Sequence, residues 1–269
     1  MINNTEKAVA VDDSGRAAWN GPTYQAWVER FGPPEEAAKR LVADPAKSLA
    51  TLREALGDLC GRHVLNLMGS HGHKAVAMAL LGARVTVADF SAENRRYALE
   101  LATAASVSID YLVADVLKLG ERGLAGGFDL VLAEMGILHY FRSLEPFMAL
   151  AASCLRSGGR FVLRDFHPVS TKLLSYRGST AKVRKYKVDG DYFSAALVQA
   201  EVAYSKHLAG GQAEAVWLRQ WTLGETVTAV AGAGLVVVSL SEEPNLSGDS
   251  FDKGIPKTFT LVAAKAGGA

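Results

Sequence analysis

Asn66, Gly69, His71 and Gly72 fall in one short run, His63-Val-Leu-Asn-Leu-Met-Gly-Ser-His-Gly72, where an apolar stretch gives way to a glycine turn. Glycines at such a turn let the backbone approach a ligand closely, and the amides of a following helix point toward it. The run is neither a G-x-G-x-x-G dinucleotide loop nor a G-x-x-x-x-G-K-[ST] phosphate loop; alone, it reads equally well as a structural turn. Asp89 lies 17 residues beyond Gly72, after a second apolar run. A carboxylate there suits the two hydroxyls of a ribose, because it accepts two hydrogen bonds at once, and Phe90 is placed to cover an adenine face. The competing reading of Asp89 is an acid favoured by the dipole of the next helix. Asp115 follows a third apolar run; its carboxylate suits an exocyclic adenine amine and the Val116 amide suits the ring, unless Asp115 is only a turn residue.

A second group follows two further apolar runs. Glu134, Met135, His139 and Tyr140 come after the fourth, and Asp165, His167 and Pro168 after the fifth. His167 is the first candidate for a general base, because imidazole titrates near neutral pH; the alternative is a structural histidine fixed by the proline turn. His139 is a second candidate, for which a structural role is the preferred reading. Glu134 suits an ammonium ligand or the orientation of an amine, and Asp165 either holds a histidine tautomer or caps the strand end. Tyr24, Trp27 and Phe31 recur at i, i+3 and i+7, one aromatic face of a short helix. Tyr24 and Trp27 either pack as part of that face, the commoner case, or close over a substrate as a lid; Tyr140 is expected to border the substrate and Tyr192 and Tyr204 to line its pocket.

The elements that must position these residues alternate. Strands are predicted over 63–68, 83–88, 109–113, 128–133 and 160–165, with helices over 74–81 (closed by Gly82), 92–105 (capped by Ser91) and from Ser143 to Arg156. Such alternation implies right-handed crossovers and a parallel sheet, whose ligand sites lie beyond the carboxyl ends of the strands. Before it come a helix within 18–31 and a helical stretch over 34–59. After it, 169–220 is irregular. Regularity returns with the capping box Thr222-Leu-Gly-Glu225, a helix to Ala233, and strands over 235–240 and 259–264 that form an antiparallel hairpin at one sheet edge.

The motifs, in order, resemble those of the class I S-adenosylmethionine-dependent methyltransferases from about residue 18 onward. Val64–Gly72 matches a V-L-D-x-G-x-G-x-G motif, Val87-Ala-Asp-Phe-Ser91 an acid in a V-D-x-S run, and Ala114-Asp115 a G-D pair. Phe128-Asp-Leu-Val131 with Leu138-His-Tyr140 matches F-D-x-V followed by L-H-H, and Leu155-Arg-Ser-Gly-Gly-Arg-Phe161 matches L-R-P-G-G-x-hydrophobic. The first motif departs from the pattern: its acid is Asn66, and two of its glycines are Met68 and Ser70. The resemblance implies a Rossmann-like α/β fold of seven mostly parallel strands with helices on both faces. It also implies a C-terminal antiparallel hairpin, an N-terminal helical lid (18–60) after a tail (1–17), and a core (61–269) with a substrate-recognition insertion at about 169–220. It implies S-adenosyl-L-methionine as cofactor and S-adenosyl-L-homocysteine as product, held by Asn66, Gly69, His71, Gly72, Asp89, Phe90, Asp115, Val116 and Glu134. The acceptor would be a small molecule, of a kind used in secondary metabolism, methylated on nitrogen, oxygen or carbon by in-line displacement.

Bulk properties narrow the alternatives. The 269 residues are 49% hydrophobic and 21% charged, with a formal net charge of +1, which gives no global field for nucleic acid or anionic membrane. The basic run Lys182-Val-Arg-Lys-Tyr-Lys187 raises an RNA methyltransferase, but Asp189 and Asp191 follow it and a solvated loop face is preferred. A non-catalytic S-adenosylmethionine-binding protein is the other alternative. Cys60 and Cys154 form no metal spacing and are expected to be two buried thiols; no metal site is predicted. Neither a signal peptide nor a membrane span is expected, which points to the cytoplasm; a homodimer is left open.

Overall fold

The computed structural model describes residues 19, 21–176, 186–207, 215–244 and 254–267. The 1–17 tail and most of the basic run, residues 182–185, lie outside the described residues.

Strands β1 (His63–Leu67), β2 (Arg84–Asp89), β3 (Asp110–Val113), β4 (Phe128–Glu134), β5 (Leu155–Phe166), β10 (Leu235–Pro244) and β11 (Pro256–Lys265) form one seven-stranded sheet. Its order is β10-β11-β5-β4-β1-β2-β3, parallel from β3 to β5, with β11 antiparallel to β5 and β10 antiparallel to β11. The order reverses between β1 and β4, so a crevice opens beyond their carboxyl ends.

Side-chain alternation builds two cores. Val64, Val87, Leu130, Leu132 and Val162 face one side, against helices α1 (Thr23–Phe31), α2 (Pro34–Ala43), α5 (His73–Leu80) and α6 (Ala92–Ala104). Leu65, Leu67, Val131, Ala133, Phe161 and Leu163 face the other, against α7 (Glu145–Cys154) and α8 (Leu223–Gly232). Burial of both faces explains why these strands are continuous apolar runs.

Several local expectations are met in detail. The Ser91 side chain accepts from the Asn94 amide at the start of α6, and Thr222 and Glu225 form both bonds of the capping box before α8. Others are corrected. The 34–59 stretch is three helices, α2, α3 (Pro45–Ser48) and α4 (Arg53–Leu56), because Pro45 has no amide to continue α2 and Asp44 caps the new start through the Lys47 amide at 3.0 Å. Ser143 does not cap α7; its hydroxyl bonds the Glu145 carboxylate instead, and Leu144 is the N-cap. The Ser157-Gly158-Gly159 turn is a bulge inside β5, where Leu155 pairs with Phe128 and Arg160 with Leu130. Cys60 is exposed while Cys154 is buried.

The irregular 169–220 segment contains two small hairpins, β6 (Leu174–Tyr176) with β7 (Tyr186–Val188), and β8 (Leu197–Glu201) with β9 (Ala215–Arg219). Buried Lys172 ties this segment together by donating to the Ser194 and Gln220 carbonyls at 2.6 and 2.9 Å. Among the described residues no helix is long and apolar enough to cross a membrane.

Candidate functional site

A cavity of about 570 Å³ opens beyond the carboxyl ends of β1, β2, β4 and β5, roofed by Trp19, α1 and the turn Ser205–His207. Its floor begins with the turn after β1. Met68 and Ser70, where the resemblance leads one to look for glycine, both take left-handed backbone at φ 50°. Ser70 is clamped there: its amide donates to Asp89 Oδ2 at 3.0 Å and its carbonyl accepts from Tyr111 Oη at 2.7 Å. Strain at a non-glycine residue persists where surrounding bonds over-determine it.

Asn66 is buried, and its Nδ2 donates to the Leu132 carbonyl at 3.4 Å while its Oδ1 has no hydrogen-bond partner among the described residues. A Cβ on Gly69 would lie 2.6 Å from that oxygen, so only glycine fits against it. Gly72, at φ 76°, is needed for packing rather than for the cavity: a Cβ there would lie 2.5 Å from Ala98 Cβ on α6.

Asp89 is 6% exposed. Its Oδ1 accepts from the Ser91 amide at 2.9 Å and Asn94 Nδ2 at 3.3 Å, and Oδ2 accepts from Ser70. Of about four acceptor positions on a carboxylate, the protein takes three. Burial pushes its pKa up against the lowering effect of these three bonds. Glu134, at the end of β4, faces Lys74 of α5 with Nζ 3.6 Å from Oε1, and Lys74 also donates to the Ser48 carbonyl at 2.5 Å. Burial raises the Glu134 pKa, with Lys74 and Arg164 opposing.

The loop after β4 is folded by one carboxylate. Asp165 accepts from the amides of Gly136 (2.7 Å), Ile137 (3.3 Å), Leu138 (3.2 Å) and Phe166 (2.7 Å). That loop carries His139 and Tyr140 to the cavity wall. His139 Nε2 is buried without a partner among the described residues; burial lowers its pKa and Asp165 opposes the shift. Tyr140 Oη accepts from Trp19 Nε1 at 3.2 Å, and burial pushes its pKa up to about 12.

Other expected residues stand elsewhere. His167 does not line the cavity: Nε2 meets Glu242 Oε1 at 2.5 Å and Nδ1 accepts from the Val169 amide at 3.1 Å, so both ring nitrogens are engaged. Asp165 positions the loop and does not border the cavity. Asp115 caps the turn Val116–Arg122 through the Leu117 amide at 3.0 Å, and neither it nor buried Val116 reaches the cavity. Tyr24 bonds Glu100 beneath the Arg96 guanidinium on the outer side of α6. Tyr192 Oη accepts from the Leu223 amide at 3.3 Å; Tyr204 is buried edge-on against Trp19. Trp27 does line the cavity, and so do Asn66, Gly69, His71, Asp89, Phe90 and Glu134. Phe31, on the expected aromatic face, lines it too, and so do Lys74, Arg30, His73 and His207, which escaped sequence reading; the i+3 spacing of Lys74 from His71 was the one available signal.

The ordered sheet and a cavity at its switch point agree with the comparisons. Residues 67–163 match a family model described as a methyltransferase domain. That stretch of the chain, from the end of β1 into β5, is similar to a methyltransferase domain. A ubiquinone biosynthesis O-methyltransferase of Rhizobium leguminosarum is 34% identical over 99 residues, 37% of this chain and 38% of that one. The chain thus matches under two fifths of that relative's length. A putative S-adenosylmethionine-dependent methyltransferase from Listeria monocytogenes superposes with a TM-score of 0.64 at 19% identity, over 82% of this chain and 98% of that one. A magnesium protoporphyrin IX methyltransferase from Synechocystis with bound SAH superposes at 0.56 and 15% identity, over 95% and 100%. These structural likenesses show the fold of the chain. Its hairpin is at the sheet edge, as expected, with β11 inserted between β5 and β10.

Proposed function

We propose that the chain is an S-adenosylmethionine-dependent methyltransferase acting on a small molecule. The observation that carries the reading is the cavity at the sheet's switch point, which Asn66, with its unpartnered Oδ1, lines together with the Lys74–Glu134 pair. Together they offer acceptors for an ammonium and a cation for a carboxylate, the two charges of the cofactor's amino-acid end. The one acceptor position left on Asp89 suits a ribose hydroxyl, and Phe90 suits an adenine face. When bound, the cofactor supplies a methyl group activated by positive sulfur.

The chain's own residues then align and deprotonate the acceptor. Trp19, Trp27 and Tyr140 roof the cavity and exclude water. His139, kept neutral by burial and with Nε2 unpartnered, takes the general-base role; Asp165 positions it through the loop amides. Glu134 orients the ammonium of the cofactor. A neutral imidazole suits a hydroxyl acceptor, and the relative named for O-methylation makes oxygen acceptors the first to screen.

Calorimetry with S-adenosylhomocysteine tests the cofactor half: wild type binds with one-to-one stoichiometry, and Asn66→Leu loses about tenfold or more in affinity. No binding to wild type overturns the reading. An acceptor screen tests the rest, with His139→Gln lowering kcat by about 100-fold or more on a hydroxyl acceptor. Binding without transfer to any hydroxyl, amine or carbon acceptor favours a non-catalytic cofactor-binding protein.

A further inference from the structure

On the side of the cavity lined by α1 stands a group of flat rings that the proposed cofactor contacts do not use. They come from α1, from the turn after β1 and from the start of α5. His71 lies 4.7 Å from Phe31 at an interplanar angle of 18°, and 4.5 Å from Trp27 at 33°. His73 lies 5.6 Å from Phe31 at 23°. Arg30 stands at the mouth, its guanidinium 4.9 Å from the Phe31 ring centroid and its Nη1 donating to His207 Nε2.

Charge distinguishes Arg30 from the other cation of the cavity. Lys74 is matched by Glu134, and that pair with Asn66 already answers both charges of the cofactor's amino-acid end. Burial holds His71 down to about 3 and His73 to about 4, so both imidazoles are neutral near pH 7. Among the described residues no carboxylate meets Arg30; an imidazole nitrogen and a ring face are its neighbours. A guanidinium without an acid partner, beside stacked planes, matches a flat ligand that carries an anionic group in its plane, because the fork of donors pairs with both oxygens of a carboxylate.

We infer that Arg30, His207 and the Phe31–His71 stack form an acceptor subsite selective for a planar aromatic carboxylate. This rests on the methyl-transfer reading for the identity of the ligand as acceptor, but the binding preference stands on geometry alone. Arg30 is exposed at the cavity mouth, so its replacement leaves both cores intact.

Benzoate and benzamide, which share a ring and differ in charge, are the probes. Each is titrated by calorimetry into wild type, Arg30→Gln and Arg30→Lys, with and without saturating S-adenosylhomocysteine. Benzoate binds wild type about fivefold or more tightly than benzamide. Arg30→Gln abolishes that preference, Arg30→Lys restores part of it, and both variants keep S-adenosylhomocysteine affinity within about twofold. Equal binding of the two probes to wild type overturns the subsite. So does a tenfold loss of S-adenosylhomocysteine affinity in Arg30→Gln, which would give Arg30 to the cofactor's carboxylate. Failure of S-adenosylhomocysteine to bind wild type overturns the methyl-transfer reading instead, while the benzoate preference measured without it still decides the subsite.

Discussion

At the scale of single residues, the site depends on side chains held in costly states. Ser70 keeps a left-handed backbone because Asp89 and Tyr111 grip its amide and carbonyl. A small residue tolerates that conformation; a β-branched one does not. Ser70→Val is expected to cost about 2 kcal/mol in denaturant unfolding, while Ser70→Gly stays within about 1 kcal/mol of wild type. His71 is the second case. Its pKa falls from 6.5 to about 3 on folding, burial first and nearby cations after, so the folded state binds fewer protons than the unfolded one between those values. Its contribution is therefore complete above about pH 6.5 and is lost as pH falls toward 3. Because the ring faces the cavity, the loss between pH 7 and pH 5 is about 1 kcal/mol relative to His71→Asn, read as the difference between their unfolding curves at the two pH values. That difference cancels Asp89 and Glu134, whose raised pKa values act in the opposite sense.

At the scale of elements, the turn after β1 does two jobs with two glycines. Gly69 lets the turn pack against Asn66, and Gly72 lets α5 approach α6. Gly72→Ala combines a Cβ 2.5 Å from Ala98 with a left-handed φ of 76°, and is expected to cost about 2 kcal/mol or more and lower Tm by several degrees in calorimetric scans. Gly69→Ala crowds Asn66 and is a binding defect first. The helices and strands themselves were legible, since period-two and period-3.6 patterns and the caps at Ser91 and Thr222 are local. The break at Pro45 was legible in principle from proline chemistry. The hairpins of 169–220 were not, because their strands are short and their exposed faces carry no clear alternation.

At the scale of the whole molecule, the lid and the cofactor end are joined by one chain of bonds. Trp27 Nε1 donates to Asn94 Oδ1 at 2.8 Å, Asn94 Nδ2 donates to Asp89 at 3.3 Å, and Ser91 Oγ donates to the Trp19 carbonyl at 2.9 Å. Trp27→Phe keeps the ring and removes the donor; it should weaken S-adenosylhomocysteine binding about three- to tenfold and speed amide exchange across α1. The sequence by itself determined the alternating sheet, its C-terminal hairpin and the turn that begins the site, because apolar periodicity, caps and glycines act over a few residues. It also named Asn66, Asp89, Phe90, Glu134 and His139, whose positions at strand ends are topological. Only the tertiary structure decided that Glu242 and the Val169 amide occupy His167, that Asp165 folds a loop, that Asp115 caps a turn, and that Lys74 and Arg30 reach the cavity. Those outcomes depend on which distant partner saturates each polar atom, and the reach of a side chain to a partner 75 residues away is set by packing, not by spacing along the chain.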